Sequence, residues 1–280
     1  MSITQVPRRT IDMRTVVIVA TLAIVSLLFV LPFVWTLSTS FRSQADLDAN
    51  PLSLLPTQFT LENYVNIWQK IPFGRQLLNS IVFAGGVTVI SVFLDSMAGY
   101  AFARYEFRGK NALFVVVLVT LMVPLQVTFI PLYSVLVNLG WINTFHGLII
   151  PRIADAFGIF FFRQFFIGLP KDLEDAARID GAREFSIYRR IMLPLAGPAV
   201  LTITLFNLIA NWNDLLWPLM ITTSSDMQTL PAGLALFRGQ HVSDYGLLMA
   251  GSVLALLPMV VAFFIVQRRF IEGIATSGLK

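Results

Sequence analysis

Six separated apolar runs, each about the 20 residues that a helix needs to cross a hydrocarbon core of about 30 Å, constrain this chain more than any motif in it. They lie at roughly 14–38, 78–103, 112–137, 147–168, 196–221 and 245–267. Each run is continuously apolar, whereas barrel strands alternate over segments of about ten residues, so the pattern predicts helices. With 56% hydrophobic and 13% charged residues and a mean hydropathy of +0.74, the composition excludes an ordinary soluble domain, in which about 25% of residues are charged. The expectation is an all-α integral membrane protein with six transmembrane helices.

Basic residues set the orientation. Arg8, Arg9 and Arg14 precede the first span, Arg104, Arg108 and Lys110 follow the second, Lys171, Arg178, Arg183, Arg189 and Arg190 follow the fourth, and Arg268, Arg269 and Lys280 follow the sixth. All fall on one side, against Arg42, Lys70, Arg75 and Arg238 on the other. Both termini and the loop at 169–195 are therefore predicted cytoplasmic. The asymmetry accounts for the net charge of +4 without a nucleic-acid partner. A secretory signal is the other reading of residues 1–40, but the apolar run Val16–Leu37 exceeds the usual 7–15-residue signal core, which favours a retained helix. The division expected is a cytoplasmic N-terminal segment, 1–13, and a single membrane domain, 14–280. The chain has no cysteine, which excludes disulfides, thiolate metal sites and a cysteine nucleophile. His146 and His241 have no second ligand at helical spacing and read as solvated loop histidines rather than a metal site.

Between spans one and two, LENYVNIW predicts a short amphipathic helix on the membrane surface. Pro124, Pro131 and Pro151 interrupt spans three and four, which fits a bundle around a pathway or ordinary kinks. Asp95 lies inside the second span, where a charge is costly, and should face protein or water. Arg152 and Asp155, three apart on one helix face, are expected to pair with each other near the outer entrance or to gate it. No G-x-x-x-x-G-K-[ST] phosphate loop occurs, and Gly85-Gly86 sits mid-membrane with no lysine following, so it reads as helix contact rather than nucleotide binding.

The stretch KDLEDAARIDGAREFSIYRRIMLPLA, Lys171 to Ala196, is the only long charged segment between two membrane-length runs. Asp172, with Asp175 three residues on, has the spacing of a capping box, which predicts a helix over 173–180. Leu173, Ala176 and Ala177 give it one small apolar face, open to close approach by another surface. Gly181 supplies a stop. A second helical piece should run through Phe185, Tyr188 and Met192 to Pro194, with Arg189 and Arg190 at lipid headgroups.

These residues resemble the EAA loop of binding-protein-dependent ABC importer permeases: EAA, three residues, Gly, nine residues, then I-x-L-P. Here the pattern reads DAARIDGA, nine residues from Gly181 to Ile191, then IMLP, with Asp175 at the usual glutamate position and Glu174 beside it. FFFRQFFIGLPKDLEDAARIDGA, NWNDLLWPL, TLPAGLALFRGQ, MAGSVLALLP and QRRFIEGIATSGLK are further similar to the second permease subunit of maltose-type carbohydrate importers. The resemblance implies a type I importer bundle in a prokaryotic inner membrane with a cytoplasmic coupling helix. It assigns ATPase coupling to Glu174, Asp175, Ala176, Ala177, Asp180, Gly181 and Ala182. It implies as partners a second homologous permease, two cytoplasmic ATPase subunits that use ATP and Mg, and an extracytoplasmic solute-binding protein, with no cofactor on this chain. The chain is not expected to be an enzyme.

Sugars bind through hydroxyl hydrogen bonds and stacking on aromatic faces, which makes Asn211, Trp212, Asn213, Asp214 and Trp217 candidates for the solute pathway. The alternative places the tryptophans in an interfacial belt and the polar groups in helix–helix hydrogen bonds. An ion-gradient-driven secondary transporter is the rival function: it can recruit Asp95 and Asp214 but leaves the charged loop unexplained. A membrane enzyme lacks a nucleophile and base at suggestive spacing.

Overall fold

The computed structural model describes residues 12–51, 53–237 and 244–277, with no strand among them. The basic residues Arg8, Arg9, Arg238 and Lys280, together with His241, lie outside the described residues, as do the side chains of Arg268 and Arg269. In chain order the helices are α1 Met13–Ser40, α2 Gln44–Ala49, α3 Glu62–Lys70, α4 Phe73–Arg104, α5 Lys110–Thr120, α6 Leu125–Asn138, α7 Phe145–Ile149 and α8 Ala156–Ile167. There follow α9 Asp172–Ile179, α10 Glu184–Ile187, α11 Leu193–Leu195, α12 Gly197–Trp212, α13 Leu216–Ile221, α14 Leu230–Leu234 and α15 Tyr245–Ser277.

Among the described residues, three helices are by themselves long and apolar enough to span a bilayer: α1, α4 and the Tyr245–Ile265 part of α15. Three bent pairs supply the rest: α5 with α6 at 99°, α7 with α8 at 40°, and Glu184–Leu195 with α12 at 78°. The six apolar runs map onto these in order. The first break falls where Pro124 cannot continue a helix and instead opens α6, and the second falls at residues 153–155, just after the 3-10 turn Ile150–Arg152 that contains Pro151. Pro131 sits inside an unbroken α6. The fifth span differs from expectation, because α12 ends at Trp212 and residues 216–221 form the separate α13.

Contacts divide the chain into two compact units, Met1–Ile67 with Phe237–Val253 and Trp68–Leu236 with Leu254–Lys280. In the first, a polar knot forms where α1 ends. Arg42 is fully buried and donates to the Asp46 carboxylate at 2.7 Å and to the carbonyls of Asp46, Asn50 and Ser53. Its guanidinium and the Thr57 hydroxyl hold the Asp46 carboxyl well below the usual range. Asn63, on the predicted amphipathic helix α3, donates to the carbonyls of Ser40 and Arg42, which ties α3 to the knot.

The second unit is built around α4, whose 32 residues run without a break. It crosses α8 where no side chain fits: a Cβ on Gly99 would stand 2.6 Å from Phe162 Cβ, and one on Gly158 would collide with the Asp95 carboxylate. Of the glycine pair singled out in the sequence, Gly86 faces Ile149 while Gly85 meets open space. Asp95 is fully buried, as expected of an intramembrane acid, and accepts from Ser91 Oγ at 2.6 Å and from the Asp155 N–H at 3.0 Å. One apolar cluster gathers Tyr100, Phe166, Ala177, Ile187, Tyr188 and Met192, and another gathers Phe83, Val87, Leu136, Leu148, Trp217 and Ile221.

Candidate functional site

The loop Lys171–Ala196 folds as the short helix α9, a tight stop, and a second helical piece made of α10, the π-helical turn Tyr188–Met192 and α11. Its first helix, α9, starts one residue earlier than expected and without the predicted cap: Lys171 is the N-cap residue and makes no side-chain bond, while Asp172 is already helical. Three acids in the first turn, Asp172, Glu174 and Asp175, complement the partial positive charge there instead. The end is as the sequence predicts. Gly181 takes φ +79°, its N–H donates to Arg178 O at 3.0 Å, and the Ala182 N–H donates to Ala177 O at 3.0 Å. That pair of bonds is a Schellman stop, which requires a left-handed residue and so favours glycine.

The two faces of α9 differ from the expected division. Ala177 does not stand on an open small-residue face with Leu173 and Ala176. It is buried against Tyr100, Phe166 and Ile187. The outward face carries Leu173, Ala176, Asp180 and Ile179, the last 87% exposed, and Phe185 on α10 is exposed as well. Tyr188 and Met192 turn inward through a π-helical turn, Tyr188–Met192, while Arg189 and Arg190 stay exposed. Leu173, Ala176, Ile179 and Phe185 thus form a rim of exposed apolar side chains around the turn.

Charges fasten this surface from behind. Arg104, the last residue of α4, and Glu174 are both almost fully buried, with Nε and Oε1 2.9 Å apart at an angle that makes the contact ionic rather than an aligned hydrogen bond. Arg104 also donates to Leu169 O at 2.8 Å. Arg178 pairs with Asp175 at 2.8 Å, lies 3.6 Å from Glu174, and donates to both oxygens of Glu184 at 2.8 and 3.2 Å. Those bonds to Glu184, followed by the one to Asp175, hold the Arg178 guanidinium above its ordinary pKa. Deleting one partner of a buried pair such as Arg104–Glu174 leaves an uncompensated charge, at a cost of about 3–5 kcal/mol. Arg104, Arg178 and Glu184 escaped the sequence reading because charges at a span end signal topology first. An arginine ending the span before an acid-rich loop was the available clue.

The second set of candidates converges where α12 ends. Arg152 is paired with Asp214, Nη1 to Oδ2 at 3.0 Å, and donates from Nε to Asn211 Oδ1 at 3.0 Å. The expected Arg152–Asp155 pair is not formed. Asp155 instead caps α8, its Oδ1 accepting from the Phe157 N–H. Asn211 and Trp212 are buried, Asp214 is half-buried, and Asn213 is exposed with its amide donating to Ile209 O at 2.9 Å. Trp217 is 1% exposed and donates from Nε1 to Leu148 O at 2.9 Å, so it packs behind the polar group and does not line an opening. The site is therefore a compact cluster of Arg152, Asn211 and Asp214 beside an open Asn213. Neither this cluster nor the loop contains a nucleophile with an adjacent base.

Residues 95–275 match the family of binding-protein-dependent transport system inner membrane components. The chain is 38% identical over 265 residues to the arabinooligosaccharides transport system permease protein AraQ of Halalkalibacterium halodurans, covering 92% of this chain and 94% of that protein. It is 34% identical to the diacetylchitobiose uptake system permease protein NgcG of Streptomyces coelicolor, over 92% of this chain and 86% of that one. It is also 35% identical to the sn-glycerol-3-phosphate transport system permease protein UgpE of Shigella flexneri, over 82% and 84%. Among solved structures, a bacterial ABC transporter involved in the import of the acidic polysaccharide alginate superposes with a TM-score of 0.82 at 23% identity, over 95% of this chain and 100% of that one, which shows the fold. An importer permease of type I architecture, with its ATPase on a separate subunit, displaces the ion-gradient carrier as the reading of the charged loop: the chain belongs to the binding-protein-dependent ABC importer permeases.

Proposed function

We propose that this permease carries an oligosaccharide or a related neutral polyhydroxylated solute into the cytoplasm, together with a second homologous permease, two cytoplasmic ATPase subunits using ATP and Mg, and an extracytoplasmic solute-binding protein. The observation that carries the solute class is 38% identity across nearly the whole length of a permease named for arabinooligosaccharides, with a chitobiose permease close behind. The polar cluster favours a neutral solute over a phosphorylated one, because Asp214 already neutralises Arg152. Asn211, Asn213 and Asp214 offer hydroxyl-binding groups along the pathway, with Trp212 and Trp217 supporting them. The test is uptake by vesicles containing the complete complex, its binding protein and internal ATP. Labelled pentose or amino-sugar oligosaccharides should accumulate only with ATP and binding protein, and flux through this chain alone down a solute gradient would refute the proposal.

In this reading the residues from Glu174 to Ala182 form the coupling segment. The exposed Ile179, Leu173, Ala176, Asp175 and Asp180 meet the ATPase, while Glu174 and Ala177 hold the segment to its own subunit. The membrane domain 14–280 is oriented with both termini and the segment 169–195 in the cytoplasm, supported by the basic-residue asymmetry. Orientation is tested on a chain that has no native cysteine. Ser186→Cys should stay unlabelled by an impermeant thiol reagent in intact cells, and Ser225→Cys, which is exposed, should label within minutes. The opposite pattern would invert the topology.

A further inference from the structure

We infer that α4 is the strut of the importer stroke, and that Arg104 and Glu174 are positioning residues that lock the coupling segment to it. This rests on the coupling reading of α9. Every other membrane-crossing element lying wholly within the Trp68–Leu236 stretch is bent: α5–α6 by 99°, α7–α8 by 40°, and the α10–α12 region by 78°. Only α4 runs unbroken, its 32 residues reaching about 48 Å at 1.5 Å per residue.

Both ends of α4 are fastened to loops. At the Arg104 end, the guanidinium is buried between Glu174 of α9 and the Leu169 carbonyl. Arg178 then continues the chain of charges from Glu174 to Glu184 at the start of α10, and Tyr105, one residue past α4, donates to Glu184 at 3.2 Å. At the other end, three polar side chains from the first turns of α4 grip the segment between α13 and α14. Gln76 donates to Ser225 O at 3.1 Å, Asn79 donates to the carbonyls of Asp226 and Gln228 at 2.7 and 2.9 Å, and Ser80 Oγ accepts the Leu230 N–H at 2.7 Å. Asn143 pins the same segment from the α6–α7 side, its Oδ1 accepting from the N–H groups of Thr223 and Ser224.

A helix fixed at each end to a different loop moves both together. A displacement of α9 is passed to the 223–230 segment through buried bonds rather than through bends that could absorb it. Glu174 thus does something other than meet the ATPase: facing inward, it converts a push on the outer face of α9 into movement of α4.

The test uses the assembled complex in vesicles with binding protein and solute, and compares Arg104→Lys, Glu174→Gln, the exchange Arg104→Glu with Glu174→Arg, and Ile179→Asp on the outward face. Arg104→Lys keeps a cation beside Glu174, so ATPase subunits should be retained and basal ATP hydrolysis should stay within about twofold of wild type; Glu174→Gln leaves Arg104 without its anion, so its hydrolysis is read per assembled complex. Stimulation of hydrolysis by liganded binding protein, and uptake, should fall at least fivefold. The exchange should recover part of the stimulation. Asn79→Ala, at the opposite end, should reproduce the loss of stimulation with the ATPase still bound. Normal stimulation in both single variants overturns the strut. So does loss of stimulation only in step with loss of bound ATPase, with no recovery on exchange. Ile179→Asp separates the two ideas: if it leaves ATPase retention and transport intact, the coupling reading itself fails, whereas a loss there with normal Arg104→Lys and Glu174→Gln complexes removes the strut alone.

Discussion

Gly181→Val should abolish most solute-stimulated ATP hydrolysis and uptake, by tenfold or more, in a protein that still inserts and accumulates. The reason is local. Gly181 sits at φ +79° with open space around the position a Cβ would occupy, so within its own subunit a side chain meets nothing and the whole effect comes from the backbone. A left-handed conformation costs an L-residue about 1–2 kcal/mol, and a β-branched one more. Valine would relieve that strain by giving up the two bonds from Gly181 and Ala182 that end α9. The outward rim of Ile179, Asp180 and Phe185 would then lose its fixed geometry at the surface proposed to be pressed against the ATPase. Gly181→Asn is the control, since asparagine tolerates the left-handed region, and it should keep at least about half the activity. Equal activity of the valine and wild-type complexes in vesicles would remove the coupling assignment.

Trp217→Ala should fail at an earlier stage, in folding. Its ring is buried against Phe83, Leu148 and Phe129, and its indole N–H is satisfied by Leu148 O. Truncation of a buried aromatic costs about 3–5 kcal/mol from lost burial and the cavity left behind. The expected result is a detergent-solubilised complex that melts many degrees lower, with sharply reduced yield. Asn213→Ala, by contrast, removes one exposed amide that bonds only its own helix, so assembly should be normal. If Asn213 touches solute, uptake or solute preference changes in that folded protein. A stable Trp217→Ala complex with altered solute preference would return the indole to the pathway.

The contrast between these two residues shows where the sequence could be read and where it could not. Apolar run length placed six membrane segments because lipid forces backbone groups to be satisfied within a helix, and Gly181 was legible because a left-handed stop has one favoured residue. Trp217 and Asn213 lie four positions apart in NWNDLLWPL, and chemistry alone made both look solute-facing. Which one faced inward depended on the chain breaking after Trp212, so that α13 starts a new direction. Arg152 followed the same logic: Asp155 is the nearer acid in sequence, but Asp155 was taken as the cap of α8, leaving Asp214 as the partner in space. Ala177 was misassigned to the open face because local spacing fixes which residues share a helix side, not which side the rest of the protein covers.

The Asp95 contact sets an order of events during synthesis. A lone aspartate at the centre of a span costs about 2.5–3.5 kcal/mol to place in lipid. Its bonding group from outside α4 is the Asp155 N–H, which belongs to a segment made 60 residues later. Until α8 emerges and docks Gly158 against that carboxylate, α4 can satisfy Asp95 only through Ser91 on its own helix. The second span therefore completes the bonding of its own acid only when span four has been made, so its packing against α8 belongs to the assembly of the bundle and not to the insertion of a single helix.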